Sequence, residues 1–307
     1  MHRGLLVAIA VSGLVLVVTP IAYALLSQQG VKTSRRYEVL PAAATDGADQ
    51  YFTWSQNSKA HPKHFDAFFA RTGDARVKLN PTGQGFSGGI DPPTVVYQQV
   101  SNGQSNLRLY DADTQVRSSP PAGVNTKRWE WSPTLSGDWL LFGRINASTG
   151  VDSVVLHSMS SSTQFLLDQG AASRAPGQVN GDFAVWSRCD GPCDVIRHQI
   201  STSTDTTLPK PLANTYQYAP AVTATGIVFV ARSGKSCGSN VRIVRFFGAS
   251  DPPGGTVVAA LGSGRDTFQL FARENADGSV DVFYDRLSCS NSNVADIYRV
   301  QDPHPGP

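Results

Sequence analysis

Four groups of side chains have the types and spacing to do chemistry. Cys189 and Cys193 stand four residues apart around Asp190-Gly191-Pro192, and Cys237 and Cys289 follow at long range. A redox dithiol wants the tighter C-x-x-C spacing and a zinc site wants His or more Cys nearby, so the expected chemistry is two structural disulfides. We pair Cys189 with Cys193 and Cys237 with Cys289, and the alternative of Cys193 with Cys237 stays open. His61, His64 and Asp66, in the segment HPKHFD, form the sole His cluster. Two imidazoles and a carboxylate are donors a divalent transition metal accepts. Pro62 and Lys63 between them suit a plain exposed loop, and Lys63 repels a cation, so this is a weak metal candidate.

The third group is NTKRWEWSP, residues 125–133, where Lys127, Arg128, Trp129 and Trp131 put two cations beside two indoles. A ligand-binding rim and aromatic packing both fit that composition. The fourth is a recurring polar pair. Gln56, Gln99, Arg144, Arg188, Arg232 and Arg286 each end an apolar run, and Asp66, Asn106, Asp152, Asp194, Asn240 or Asp296 opens the next one. The structural expectation is a repeated hydrogen bond that fixes hairpin register; an anion site formed by several such residues is the alternative. No G-x-S-x-G elbow, H-E-x-x-H, Gly-rich phosphate loop or Asp-box occurs. Carboxylates converging from distant parts of the chain are invisible in a linear sequence, which keeps a hydrolase or lyase reading open.

The elements that must position these groups are short alternating apolar runs, the pattern of half-buried antiparallel strands. Aligned on their third residues, Trp54, Tyr97, Phe142, Trp186, Val230 and Tyr284, six runs recur at intervals of 43, 45, 44, 44 and 54 residues. Just upstream of each lies a turn-rich segment such as SPTLSGD (132–138) or APGQVNGD (175–182). A period near 44 with four strands per unit predicts about 24 strands, and six such sheets bury their faces only when arranged radially. The expected fold is an all-β six-bladed β-propeller of four-stranded antiparallel blades, preceded by an N-terminal hydrophobic leader helix. The last unit ends after its third strand, so Arg36 to Leu40 (RYEVL) is expected to supply the missing outer strand of the sixth blade.

The turn and strand pattern SPxxSGD-xLLFGR, followed by Asp or Asn and an alternating strand such as ADIYRV (295–300), resembles the blades of TolB-type six-bladed propellers. The resemblance runs over about residues 37–300. It implies the propeller, but the SPDGK-like turn of that family is replaced here by SGD or NGD. With about a dozen residues between leader and first blade, the preceding α/β domain of the Tol-system protein is not expected, and neither a Tol-machine role nor an appended hydrolase carries over.

Gly4 to Leu26 is a run of 23 residues without charge, about 34 Å as a helix. Pro20 and the Ala22-Tyr23-Ala24 pattern equally suit signal-peptide cleavage. Residues 1–31 are therefore a signal peptide or membrane anchor, 32–300 the propeller and 301–307 a Pro-rich tail. Both leader readings and the paired cysteines give an extracytoplasmic location, secreted or anchored. The formal charge is +2, so no global field for nucleic acid is expected and the partner is to be found by shape. The functional expectation is a monomeric, non-enzymatic scaffold, without cofactor, that binds an envelope protein or peptide. A small molecule or glycan ligand is the alternative, and the membrane enters only through an uncleaved leader.

Overall fold

The computed structural model describes residues 37–302, apart from 58–60, 62, 211, 213, 249–250, 253 and 291–294. The leader read at 1–31 and the tail from 303 lie outside the described residues. Blade one holds β1 (Glu38–Asp46), β2 (Asp49–Asn57), β3 (Phe65–Arg71) and β4 (Val77–Lys78). Blade two holds β5 (Gln84–Asp91), β6 (Thr94–Ser101), β7 (Gln104–Asp111) and β8 (Arg117–Ser118). Blade three holds β9 (Trp129–Ser136), β10 (Trp139–Asn146), β11 (Val151–Ser158) and β12 (Gln164–Gly170). Blade four holds β13 (Arg174–Asn180), β14 (Phe183–Arg188), β15 (Asp194–Gln199) and β16 (Thr204–Thr207). Blade five holds β17 (Tyr216–Val222), β18 (Ile227–Arg232), β19 (Arg242–Phe246) and β20 (Thr256–Ala260). Blade six holds β21 (Arg265–Asp266), β22 (Leu270–Glu274), β23 (Val280–Ser288) and β24 (Ala295–Asp302). Every blade is an antiparallel sheet drawn from one contiguous stretch of chain, and no helix occurs among the described residues.

The recurrent aromatic column forms the packing between blades. Trp54, Tyr97, Phe142, Trp186, Val230 and Tyr284 are all at most 8% exposed, and burial of one such side chain contributes about 2 kcal/mol. Alternation along β10 shows how this works. Leu140 and Phe142 pack toward blade two, with Val96 and Leu107, while Leu141 packs toward blade four, with Val179 and Trp186. Because successive side chains point to opposite faces, one strand fills two blade interfaces.

The ring does not close through the strand expected from Arg36–Leu40. Glu38, Val39 and Leu40 begin the innermost strand of blade one, with Glu38 opposite Gln56 and Val39 opposite Ser55. Tyr37 makes a single parallel bridge to Ala295. The reason is that Leu40-Pro41 is an x-Pro step like Ser132-Pro133 and Ala219-Pro220 in the innermost strands of blades three and five, so the register of blade one claims it. Closure is instead made by side chains. Val39 packs with Leu287 and Ala295, and the Phe52 ring lies 5.9 Å from that of Phe283. In blade six, β21 and β22 are two pieces of one innermost strand, both paired with β23.

Blade three also buries a histidine. His157 on β11 is 0% exposed, and neither ring nitrogen has a hydrogen-bond partner among the described residues. Burial, reinforced by Arg144, holds its pKa below the ordinary imidazole value, against a smaller opposing pull from Asp138. A base whose folded pKa is depressed favours folding when neutral. Stability should therefore decline as pH falls through the unfolded-chain value of about 6.5. Urea denaturation at pH 7.5 and 5.5 should show that decline in the wild type and a smaller one in His157→Leu.

Candidate functional site

Five of the six innermost strands enter the ring through the same irregularity. The ladder between first and second strands slips by one residue at Val39/Ala42, Ser87/Ile90, Pro176/Val179 and Tyr218/Ala221, and between Leu141 and Gly143 opposite Trp131 to Thr134. These are β-bulges, which bend a strand and re-aim its side chains. The sequence encodes them in two ways. In blades one, three and five a residue in the left-handed region precedes proline: Leu40 (φ 57°), Ser132 (φ 46°) and Ala219 (φ 49°). Blades two and four place Gly88 and Gly177 there. A Cβ on Gly177 would sit 2.2 Å from the Pro220 carbonyl oxygen, and one on Gly88 would sit 2.5 Å from that of Pro133. Small backbone in one blade thus admits the proline bulge of the next.

The bulges surround a partly open cavity of about 640 Å³ to which all six blades contribute. Leu40, Phe86, Phe268 and Pro220 supply apolar wall. Its polar lining is neutral apart from Arg232. Trp131, Ser187 and Arg232 line it, while their Nε1, Oγ and Nε atoms are buried in the wall without a hydrogen-bond partner among the described residues. Arg232 Nη1 donates to Asp266 at 2.7 Å. Asp266 also accepts from the Tyr218 hydroxyl and from Thr267 N. Burial, then the Asp266 charge, pushes the Tyr218 phenol well above its ordinary range, so it stays a donor.

Beneath the mouth, Asp285 is fully buried. Its Oδ1 accepts from Thr267 Oγ1 (2.7 Å), Phe268 N (2.7 Å) and Gln269 N (3.3 Å), and its Oδ2 accepts from Leu40 N (3.5 Å). One carboxylate thereby ties the broken inner strand of blade six to the bulge of blade one. Burial raises its pKa despite these bonds.

Sequence candidates fall partly inside this site. Trp131 lines the cavity. Trp129 is 42% exposed and donates from Nε1 to Gly103 O at 3.1 Å. Lys127 and Arg128 are exposed. Glu130 between the indoles turns the other way, fully buried, and accepts from Arg144 Nε at 3.0 Å. His61, His64 and Asp66 lie away from the cavity lining. Asp66 is held by Lys78 at 2.8 Å and Asn80 at 3.0 Å, with His64 at 3.5 Å. Among the described residues no three His, Cys, Asp or Glu side chains converge on a metal position.

The disulfides join Cys189 to Cys193 and Cys237 to Cys289; the first lines the cavity, and the second links loops of blades five and six.

The repeated polar pair needs correction. Gln56 faces Asp66, Gln99 faces Asn106, Arg188 faces Asp194 and Arg286 faces Asp296, but Arg144 faces Ser153 and the ladder of blade five stops at Ala231 and Arg242. The arginine bonds run elsewhere. Arg188 reaches Asp168 of blade three and Arg232 reaches Asp266 of blade six, while Asp194 is taken by Lys210. Long guanidinium side chains find buried carboxylates on neighbouring blades that a short Asp directly opposite does not match. Arg232, Tyr218, Phe268 and Gln269 meet only in space; in the sequence Arg232 is one member of the strand-ending column, and the signal of the other three is proximity to the x-Pro or interrupted inner-strand segments.

No protein-family model matches the sequence, and no curated protein matches it. Among solved structures, a putative TolB from Agrobacterium tumefaciens is similar with a TM-score of 0.55 at 14% identity, over 88% of this chain and 91% of that one. TolB from Acinetobacter baumannii gives a TM-score of 0.53 at 9% identity, over 89% and 81%. The β-propeller domain of the Trilobed protease from Pyrococcus furiosus, described as having an open velcro topology, gives 0.50 at 10% identity, over 87% and 94%. At such identities the likeness concerns the fold alone: this chain has the fold of the TolB-like six-bladed β-propellers.

Proposed function

We propose that this chain is a non-enzymatic binding propeller that accepts a segment of a protein or peptide partner at the mouth of its central cavity, outside the cytoplasm. The observation that carries the reading is the cavity itself. Its walls are apolar, and none of its described lining residues is Asp, Glu or His. General acid–base chemistry wants such groups, so the hydrolase or lyase alternative gains no support from this lining. The likeness to TolB structures and to the protease propeller domain concerns the fold and favours neither reading. Two disulfides and the apolar leader sequence support an oxidising compartment.

The test is site-specific photocrosslinking in cells. A benzoylphenylalanine at Phe268, which is 61% exposed beside the mouth, should capture a discrete protein; the same probe at Phe165, 45% exposed on the outer strand of blade three, should not. Trp131→Ala should reduce the Phe268 adduct at least fivefold. Equal capture at both positions, or none at Phe268, overturns the reading.

A further inference from the structure

The formal charge of +2 conceals two faces of opposite sign. Innermost strands begin at the cavity mouth, so the turns between first and second strands, and between third and fourth, lie on the far face. The first set carries Asp46, Asp49, Asp91, Asp138, Asp182 and Asp277; the second carries Asp74, Asp111, Asp113 and Asp251 against Arg71 and Arg76. Loops between second and third strands, and links between blades, lie on the mouth face. There Lys63, Lys127, Arg128, Lys235, Arg242 and Arg265 take part in no ion pair among the described residues. Of the other mouth-face cations, Lys78, Arg144, Arg174, Arg188, Lys210 and Arg232 are paired and Arg286 lies over the Tyr298 ring, while Asp152 and Asp296 are acids of this face in no ion pair among the described residues.

The far-face acids have a local purpose. Asp111 accepts from Thr114 N at 2.8 Å, Asp138 from Ser160 N at 2.7 Å, Asp182 from Ser201 N at 2.7 Å and Asp277 from Ser279 N at 3.0 Å. Tight turns select Asp for such bonds. No equivalent need places six unpaired cations around the mouth.

From this segregation we infer that the mouth face docks an acidic peptide segment of the partner protein, its carboxylates on the basic rim and an apolar side chain in the cavity. This deepens the binding reading above and rests on it. Residues 1–36 and 303–307 contain no Asp or Glu, so these segments do not match the acidic occupant. The cavity favours a peptide over an anionic bilayer, because a flat headgroup layer leaves about 640 Å³ of apolar space unfilled.

The probe is a fluorescein-labelled random copolymer of Glu and Tyr, followed by anisotropy with the full chain. Binding should weaken steeply between 50 and 200 mM salt, as it does for screened rim charges at about those concentrations. Lys127→Glu/Arg128→Glu should weaken it about tenfold or more, with thermal unfolding unchanged because both side chains are exposed. Asp46→Lys/Asp49→Lys on the far face shifts net charge as far the other way and should change affinity by less than about twofold. Equal responses to mouth and far-face variants overturn the inference, as does binding to phosphatidylglycerol vesicles but not to the copolymer, or head-to-tail self-association in sedimentation. A partner crosslinked at Phe268 whose capture ignores salt and Lys127→Glu/Arg128→Glu sinks the charge argument but keeps the binding reading. Copolymer binding at the rim with no crosslinked protein does the reverse.

Discussion

Replacing Asp285 by alanine should lower stability by about 3 kcal/mol, because it leaves buried donors without an acceptor. Three of those donors, Thr267 Oγ1, Phe268 N and Gln269 N, converge on Oδ1 alone. Asparagine keeps one such oxygen, so Asp285→Asn should lose about 1 kcal/mol or less. The contrast separates a hydrogen-bonding anchor from a charge. Its pH dependence follows from the same group. Burial raises the Asp285 pKa, and an acid whose folded pKa is raised adds stability below its unfolded value that is lost as pH rises through the folded one. The stability difference between wild type and Asp285→Asn should therefore move against the wild type from pH 4 upward. Urea denaturation across that range reads both effects; an alanine variant as stable as the asparagine one would show that the carboxylate does not tie blade six to blade one. Since Phe268 and Gln269 line the cavity, Asp285→Ala should also weaken copolymer binding.

What could be read in the sequence was whatever repeats. Trp54, Tyr97, Phe142, Trp186 and Tyr284 sit at near-constant spacing because each must fill the same blade interface, and periodicity exposes that requirement. The four cysteines were legible because they recur in one loop type. The site was only partly legible. Trp131 announced itself through an unusual local composition, but Arg232 looked like one more member of a structural column, and Tyr218 and Phe268 are ordinary aromatic residues until six blades bring them to one mouth. Closure was misread for a related reason: RYEVL looked unassigned when its last residues form the start of blade one's own bulged inner strand. Net charge gave least of all. Which turns belong to which face depends on strand direction, so segregation of Asp from Lys and Arg emerges only once the antiparallel order is known.

Removal of the two disulfides should have opposite consequences for stability and binding. The Cys237–Cys289 link closes 52 residues of chain and joins blade five to blade six, and loop-closure entropy assigns about 4 kcal/mol to a loop of that length. The Cys189–Cys193 link closes only 4, for which the same relation gives about 2 kcal/mol. Cys237→Ala/Cys289→Ala should therefore unfold at markedly lower urea than Cys189→Ala/Cys193→Ala. Binding should rank the other way. Cys189 and Cys193 line the cavity beside Ser187 and Ser173, whereas the longer link lies outside the lining. Loss of the short disulfide lets its loop relax over the mouth and should weaken copolymer affinity several-fold, while loss of the long one should leave affinity nearly unchanged at temperatures where the variant is folded. If both pairs cost equal stability, ring closure through side-chain packing already constrains blade six, and the disulfide is redundant there. If only the long link affected affinity, the recognition surface would have to be placed on the loops of blades five and six, around Lys235, rather than on the cavity.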